Sequence, residues 1–193
     1  MLTLALALSI HACAQQVRVT APETQTTVAA VSLYECGRRV AGPWRGRVGY
    51  RGLSGHHREG DGTTPLGTFR LGPVVYGLAA DPGSAFRYHR LVCGDWWDED
   101  PRSPTYNRFR HVRCGVRPPF GGASEALWRA TVAYRLFAVV EYNSRPAIAG
   151  RGSAIFLHVD DQRATNGCVS LPERHLRALL RRLRPGATIR ISA

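Results

Sequence analysis

The stretch IFLHVDDQRATNGCVSLP, Ile155 to Pro172, places an apolar run, a histidine, a polar loop, a cysteine and a helix start within eighteen residues. Ser153 to Val159, SAIFLHV, reads as a buried strand ending on His158. Ser170-Leu171-Pro172-Glu173 has the S-x-x-E form of a capping box, which predicts a helix start with Ser170 as its cap. Leu176, Leu179, Leu180 and Leu183 then recur at helical spacing. Arg181, Arg182 and Arg184 fall in the last turn, where the helix dipole favours cations. Gly186 ends the helix, and ATIRIS closes the chain as a strand.

Cys168 lies two residues before the expected cap. A helix N-terminus stabilises negative charge by about 0.3–1 kcal/mol. At about 1.36 kcal/mol per pKa unit, that lowers a thiol by less than about one unit, so a base is needed. His158 can return to Cys168 across the polar loop. A Cys–His pair divides acyl transfer into two easier steps through a thioester. Gly167 permits close approach of another backbone, and the N–H groups from Asn166 to Val169 are candidate oxyanion donors. The bland alternatives are an inert buried thiol and a histidine that is merely hydrogen-bonded.

Outward from this stretch, Val28–Cys36, Thr68–Gly72 and Arg135–Asn143 read as further strands. Residues 15–27, polar and without period, read as a linker. Glycines and Pro65 make Gly52–Gly67 a loop. Asp81–Pro119 is long, irregular and tryptophan-bearing, which suggests a functional or stapled loop, with Trp96-Trp97 forming either a lid or a packed element. Ser124 caps an expected second helix over SEALWRATVAY. The whole is mostly β with two short helices, in one domain spanning residues 28–193.

The chain has 193 residues, 44% hydrophobic and 21% charged, a globular balance. Its 26 basic side chains are all arginine and give a net charge of +12, suited to an anionic partner or to a simple solvated basic surface. Leu2–Ile10 is apolar but shorter than the about 20 residues that span a bilayer. With Ala12-Cys13-Ala14 as a cleavage site, residues 1–14 read as a signal peptide, and Cys13 offers a lipid-attachment alternative. Export points to the periplasm or cell envelope, with no transmembrane span in the mature chain, and weighs against nucleic acid as partner. An oxidising compartment permits disulfides among Cys13, Cys36, Cys93, Cys114 and Cys168. Closing the loop between Cys93 and Cys114 would stabilise by roughly 3 kcal/mol; that pair is expected to bond, leaving Cys36 buried and Cys168 free. No C-x-x-C or H-E-x-x-H spacing appears, so neither a metal site nor a zinc peptidase built on His56, His57 and His89 is expected.

FLHVDDQRATNGCVSLP resembles the catalytic signature of the L,D-transpeptidases, the YkuD-like domains of bacterial envelopes: a histidine after an apolar strand, then a Ser/Thr-x-Gly-Cys turn. HREGDGTTPLGTF, from His57, looks like the same family's Thr-Pro-x-Gly segment, and GDWWDEDPRSPTYNR and GSAIFLHV look like one branch of it. The resemblance implies a β-sandwich or barrel domain with Cys168 as nucleophile, His158 as general base held by a backbone carbonyl, and Thr165, Asn166 and Gly167 in the turn. The family's usual second histidine is Asn166 here, and the spacer from His158 to Cys168 is shorter than the common pattern. Asp160 and Asp161 read as solvated loop charges. Arg58, Glu59 and Asn107 are candidate substrate contacts, or else turn-stabilising residues. The implied activity is crosslinking of peptidoglycan through a thioester, with stem tetrapeptides as donor, no cofactor, the anionic wall as partner, and a monomeric state. A hydrolase of the same fold, an L,D-carboxypeptidase, or a non-catalytic wall-binding module are the alternatives.

Overall fold

The computed structural model describes residues 13–122 and 124–193. In chain order the strands are β1 (Gln15–Thr20), β2 (Val28–Glu35), β3 (Arg38–Arg47), β4 (Leu53–Ser54), β5 (Thr64–Pro65), β6 (Gly67–Gly77) and β7 (Arg87–Arg90). There follow β8 (Asp95–Asp98), β9 (Arg108–His111), β10 (Glu125–Ala126), β11 (Phe137–Val140), β12 (Phe156–Val159), β13 (Val169–Leu171) and β14 (Thr188–Ser192). Among the described residues the one α-helix, α1 (Glu173–Arg182), lies between β13 and β14.

The main sheet runs β11-β12-β13-β3-β2-β1-β14-β6-β7, and β6 also pairs with β11. That last pairing closes the ring from β11 round to β6 and leaves β7, paired with β6 alone, as the edge strand. The alternation along the strands sets the interior: Val17 and Val19 of β1, Val31 and Leu33 of β2, and Ile189 and Ile191 of β14 are buried, while Arg190 between the last two is exposed. Leu176, Leu179 and Leu180 of α1, with Leu183 just beyond, join this core. Gln15 then satisfies the helix C-terminus: its Nε2 donates to Arg182 O at 2.9 Å, and its Oε1 accepts from Arg184 N at 2.8 Å.

Residues 15–20 are therefore not a linker. They form β1, parallel to β14 and antiparallel to β2, in the interior of the sheet. Two apolar side chains at alternate positions, Val17 and Val19, are enough to bury a strand flanked on both sides, and a six-residue pattern with polar partners carries little period. The Gln15↔Glu35 register also brings Cys13 to Cys36, and the two form a disulfide with Cα atoms 5.1 Å apart. Cys36 is thus bonded and exposed, not buried and free, and the bond uses the Cys13 sulfur. The apolar run Leu2–Ile10 lies outside the described residues. Among the described residues no helix is long and apolar enough to cross a membrane.

The second expected helix is absent. Glu125-Ala126 pairs with Trp96-Trp97 in a small sheet, β10-β8-β9, and only short 3₁₀ turns follow at Leu127–Arg129 and Ala133–Arg135. Ser124 does not cap; its hydroxyl accepts from Glu99 N at 3.0 Å and donates to Gly121 O at 2.7 Å. This small sheet also gives structure to the region read as an irregular loop, and the Cys93–Cys114 disulfide spans it. Trp97 is buried against Phe156, ring centroids 5.0 Å apart.

Candidate active site

β12 is buried on both faces, and its alternation separates two cores. Leu157 and Val159 face the closed sheet, whereas Phe156 belongs to an aromatic cluster with Trp97, Tyr134 and Phe137, against which Cys168 packs. β12 and β13 run parallel with Leu157 opposite Val169 and His158 opposite Ser170. That register sets Cys168 beside Phe156, so Cys168 and His158 fall on the same face of adjoining strands. Both line an open cleft of about 720 Å³, together with Trp96, Glu125, Tyr134 and Asn166.

The imidazole is held in one tautomer. His158 Nδ1 lies 2.8 Å from Val159 O, an acceptor only, so Nδ1 carries the proton and Nε2 presents a lone pair. Burial lowers the His158 pKa from 6.5, with the Val159 carbonyl, Asp161 and Asp160 opposing the shift. The thiol is shifted the other way. Cys168 Sγ donates to Ala154 O at 3.2 Å and accepts from Phe156 N at 3.3 Å. Burial first, then the Glu125 carboxyl, raise its pKa well above the usual thiol range, and the Phe156 N–H offsets only part of this. The resting pair is a neutral thiol and a neutral imidazole.

The helix contributes less than the capping box implied. α1 starts at Glu173 with Pro172 at its N-cap position and no side-chain cap. Ser170 is a buried residue of β13 and its hydroxyl donates to Asp160 at 3.3 Å. A proline that cannot donate, placed next to a strand that needs Ser170 extended, moves the start of the helix past the S-x-x-E frame. Cys168 is therefore five residues from the helix, beyond the first turn over which the dipole acts.

The cysteine turn is fixed by two threonines. Thr165 Oγ1 donates to Cys168 O at 2.6 Å and accepts from Gly167 N at 3.2 Å. Thr64 Oγ1, from the Thr-Pro-x-Gly segment, donates to the same carbonyl at 3.2 Å and accepts from Gly49 N at 2.8 Å. Gly167 has φ +141°, and a Cβ there would stand 2.9 Å from Thr63 O. Only glycine lets these two segments pack so closely. Asn166 is exposed at the cleft.

Arg58, Glu59 and Asn107 do not line this cleft. Asn107 is a buried hub: Oδ1 accepts from Trp97 Nε1 at 2.9 Å and Ala154 N at 3.1 Å, and Nδ2 donates to Tyr142 O and Asn143 O. All four of its hydrogen bonds are spent within the protein, so it has no capacity for substrate. Glu59 accepts from Tyr106 and Ser153, and Arg58 is exposed with its backbone N–H on Asp61. These residues stabilise turns and layers. Asp160 is likewise no solvated charge: it pairs with Arg47 at 3.3 Å and ties the loop to β13 through Ser170. His57 is buried against Thr63 and Asp61, and His89 pairs with Asp95; among the described residues no group of three or more His, Cys, Asp or Glu side chains is placed to hold a metal ion.

Two residues of the cleft, Glu125 and Tyr134, were not singled out from sequence, whereas Trp96 was. Glu125 accepts from the Tyr134 hydroxyl, and the Tyr134 ring meets His158 edge-on at 6.2 Å. Trp96, half-buried, stands edge-on to Trp128 at 5.2 Å. The acid-dense DWWDED, Asp95 to Asp100, contains neither of the two missed residues.

A free cysteine and a histidine of fixed tautomer thus line one open cleft, the two residue types that thiol-based acyl transfer employs. The model of the L,D-transpeptidase catalytic domain, YkuD, matches residues 20–191, and the chain belongs to this family of cell-wall enzymes. Among solved structures it is similar to the helical cell shape determining protein Pgp2 of Campylobacter jejuni, at 15% identity and a TM-score of 0.43, covering 94% of this chain and 48% of that one. A mutant of the same protein matches at 14% identity and a TM-score of 0.42, with 94% and 47% covered. The chain thus spans about half the length of these structures. No curated protein sequence matches.

Proposed function

We propose that this chain is an L,D-transpeptidase of the bacterial envelope that crosslinks peptidoglycan stems through a Cys168 thioester. The observation that carries the reading is the parallel β12–β13 register, which sets Cys168 and His158 on one face of one cleft with the His158 Nε2 lone pair unspent. His158 takes the thiol proton as Sγ attacks the carbonyl of the third, diamino-acid residue of a donor tetrapeptide. The tetrahedral oxyanion collapses, His158 returns the proton to the departing D-alanine amine, and a thioester remains. An amine of a second stem then attacks; its proton passes through His158 to the sulfur as the new amide forms. The Gly167 N–H is committed to Thr165, so among the donors of the turn the N–H of Cys168 itself is the candidate for the oxyanion. Asn166 is placed to orient the stem. Trp96 supports the exclusion of water from the acyl carbon, a requirement for transfer to an amine. The basic surface suits an anionic wall, and export to the envelope as a monomer completes the reading.

The test is mass spectrometry of the protein with purified stem tetrapeptides and rising acceptor. A thioester on Cys168, absent in Cys168→Ala, and a crosslinked dimer that grows with acceptor are expected. Tripeptide as the sole product at saturating acceptor makes the enzyme an L,D-carboxypeptidase. Undiminished turnover in Cys168→Ala refutes the mechanism, and no adduct of any kind leaves a wall-binding module.

A further inference from the structure

The chain carries +12, yet two of its acidic residues, Glu125 and Glu99, act on the Cys168 thiol, and Glu59 and Asp98 in turn act on Glu99. Glu125 lines the cleft. Glu99 stands behind it: the Glu99 N–H bonds the hydroxyl of Ser124, next to Glu125 in the chain. Glu99 is only 8% exposed, and its Oε1 is fully buried with no hydrogen-bond partner. A buried carboxyl oxygen without a donor is costly and uncommon. Its strongest charged neighbour is Glu125, and no arginine pairs with either carboxyl among the ion pairs of the described residues. The arginines of this cleft, Arg129 and Arg163, are exposed.

We infer that Glu125, backed by Glu99, forms a receptor for a primary ammonium group of the substrate, beside the Cys168 thiol. The inference rests on the proposed function, in which a diamino-acid side chain enters this cleft. An ammonium has three donors and no acceptor, which suits carboxyls whose present donors are the Tyr134 hydroxyl on Glu125 and the Glu125 backbone N–H on Glu99, with Glu99 Oε1 left unpaired. Two further facts agree. Burial and the neighbouring Glu125 push Glu99 up to about 10, the behaviour of acids that lack a cation. Glu125 and Glu99 also both raise the thiol, so a cation held there would ease formation of the thiolate.

The experiment labels Cys168 with methanethiosulfonates, which transfer their alkylthio group to the thiolate and release methanesulfinate. Neither stem peptide nor turnover is needed. Rates for the aminoethyl reagent are compared with those for the neutral hydroxyethyl and the cationic trimethylammonioethyl reagents, each normalised to free cysteine and read by intact mass. Long-range repulsion from a +12 chain disfavours both cations. A receptor for a hydrogen-bonding ammonium predicts the reverse for the aminoethyl reagent alone, a preference of about 10- to 100-fold, the range of one charge-assisted hydrogen bond. Glu125→Gln should abolish it. Glu99→Gln, which retains shape in the buried layer, should reduce it and keeps the test open if Glu125→Gln does not fold. Equal normalised rates for all three reagents in the wild type overturn the inference, as does a preference unchanged in both variants. Ammonium-selective labelling with no activity on stems would refute only the transpeptidase reading; activity without selectivity would refute only this one. With stems, Glu125→Gln slows thioester formation if the ammonium belongs to the donor, and lowers only the yield of dimer if it belongs to the acceptor.

Discussion

The neutral resting state of Cys168 and His158 makes a definite pH prediction. The thiol lies above its ordinary value because it is buried beside Glu125, and the imidazole lies below 6.5 because it is buried. An ordinary thiol is a few per cent thiolate at pH 7, and each unit of upward shift cuts that about tenfold. Preformed thiolate is therefore too scarce to carry the reaction, and the proton must leave to His158 Nε2 during attack. Acylation by a carbapenem, followed by intact mass, should then rise with pH along a limb set by the imidazole and centred below 6.5. It should stay level through neutrality, because the thiol loses its proton only far into the alkaline range. A normal solvent isotope effect should accompany the plateau. His158→Ala should lower the plateau by roughly 10²–10⁴-fold, and its residual rate should climb with pH as hydroxide and free thiolate take over. An acid limb above 6.5 would refute the lowered imidazole, and a rate that falls through the mildly alkaline range without an isotope effect would mean a preformed thiolate–imidazolium pair; either result refutes the reasoning.

Thr165→Val leaves Cys168 O with its longer bond from Thr64 only and strands the Gly167 N–H, at a cost of about 1–3 kcal/mol; a lowered Tm with a larger loss of acylation rate is expected, and Thr165→Ser should restore both. Gly167→Ala sets a methyl 2.9 Å from Thr63 O at φ +141°, so it should slow acylation more than Asn166→Ala does, read by the same adduct assay. Deleting residues 13–20 should abolish cooperative thermal unfolding, since β1 lies between β2 and β14; a linker would be dispensable. Replacing Cys93 and Cys114 with serine should lower stability by roughly 3 kcal/mol in denaturant titration.

The fold was legible in the sequence where burial is one-sided or continuous. Val28–Glu35, Phe156–Val159 and Thr188–Ser192 stand out because apolar residues alternate or run together over enough positions to exclude other periods. β1 was not legible, because only Val17 and Val19 mark it and the partners that bury it lie at the far end of the chain. The two capping assignments failed for a related reason. Ser124 and Ser170 each carry a side chain suited to a helix start, but strand pairing claims their neighbours first: Glu125 pairs with Trp97, and Ser170 with His158. Local capping contributes about 1 kcal/mol, less than a ladder that also buries Leu171.

The site divides in the same way. Cys168 and His158 are ten residues apart and lie on adjoining parallel strands, so one short segment contains both and its motif reveals them. The groups that set their protonation come from elsewhere. Glu125 and Glu99 arrive from the small β10-β8-β9 sheet, and Thr64 arrives from the glycine-rich segment before β6. A reading confined to the motif places the cysteine at a helix N-terminus and expects a lowered pKa. Burial of the thiol first, and then the acids carried by the second sheet, reverse the sign. The consequence is chemical: a thiol kept neutral beside carboxyls depends on His158 to lose its proton, and becomes more acidic when a cation enters beside it. On the proposed function, the ammonium of the stem supplies that cation, and occupation of the cleft and activation of the thiol become one event.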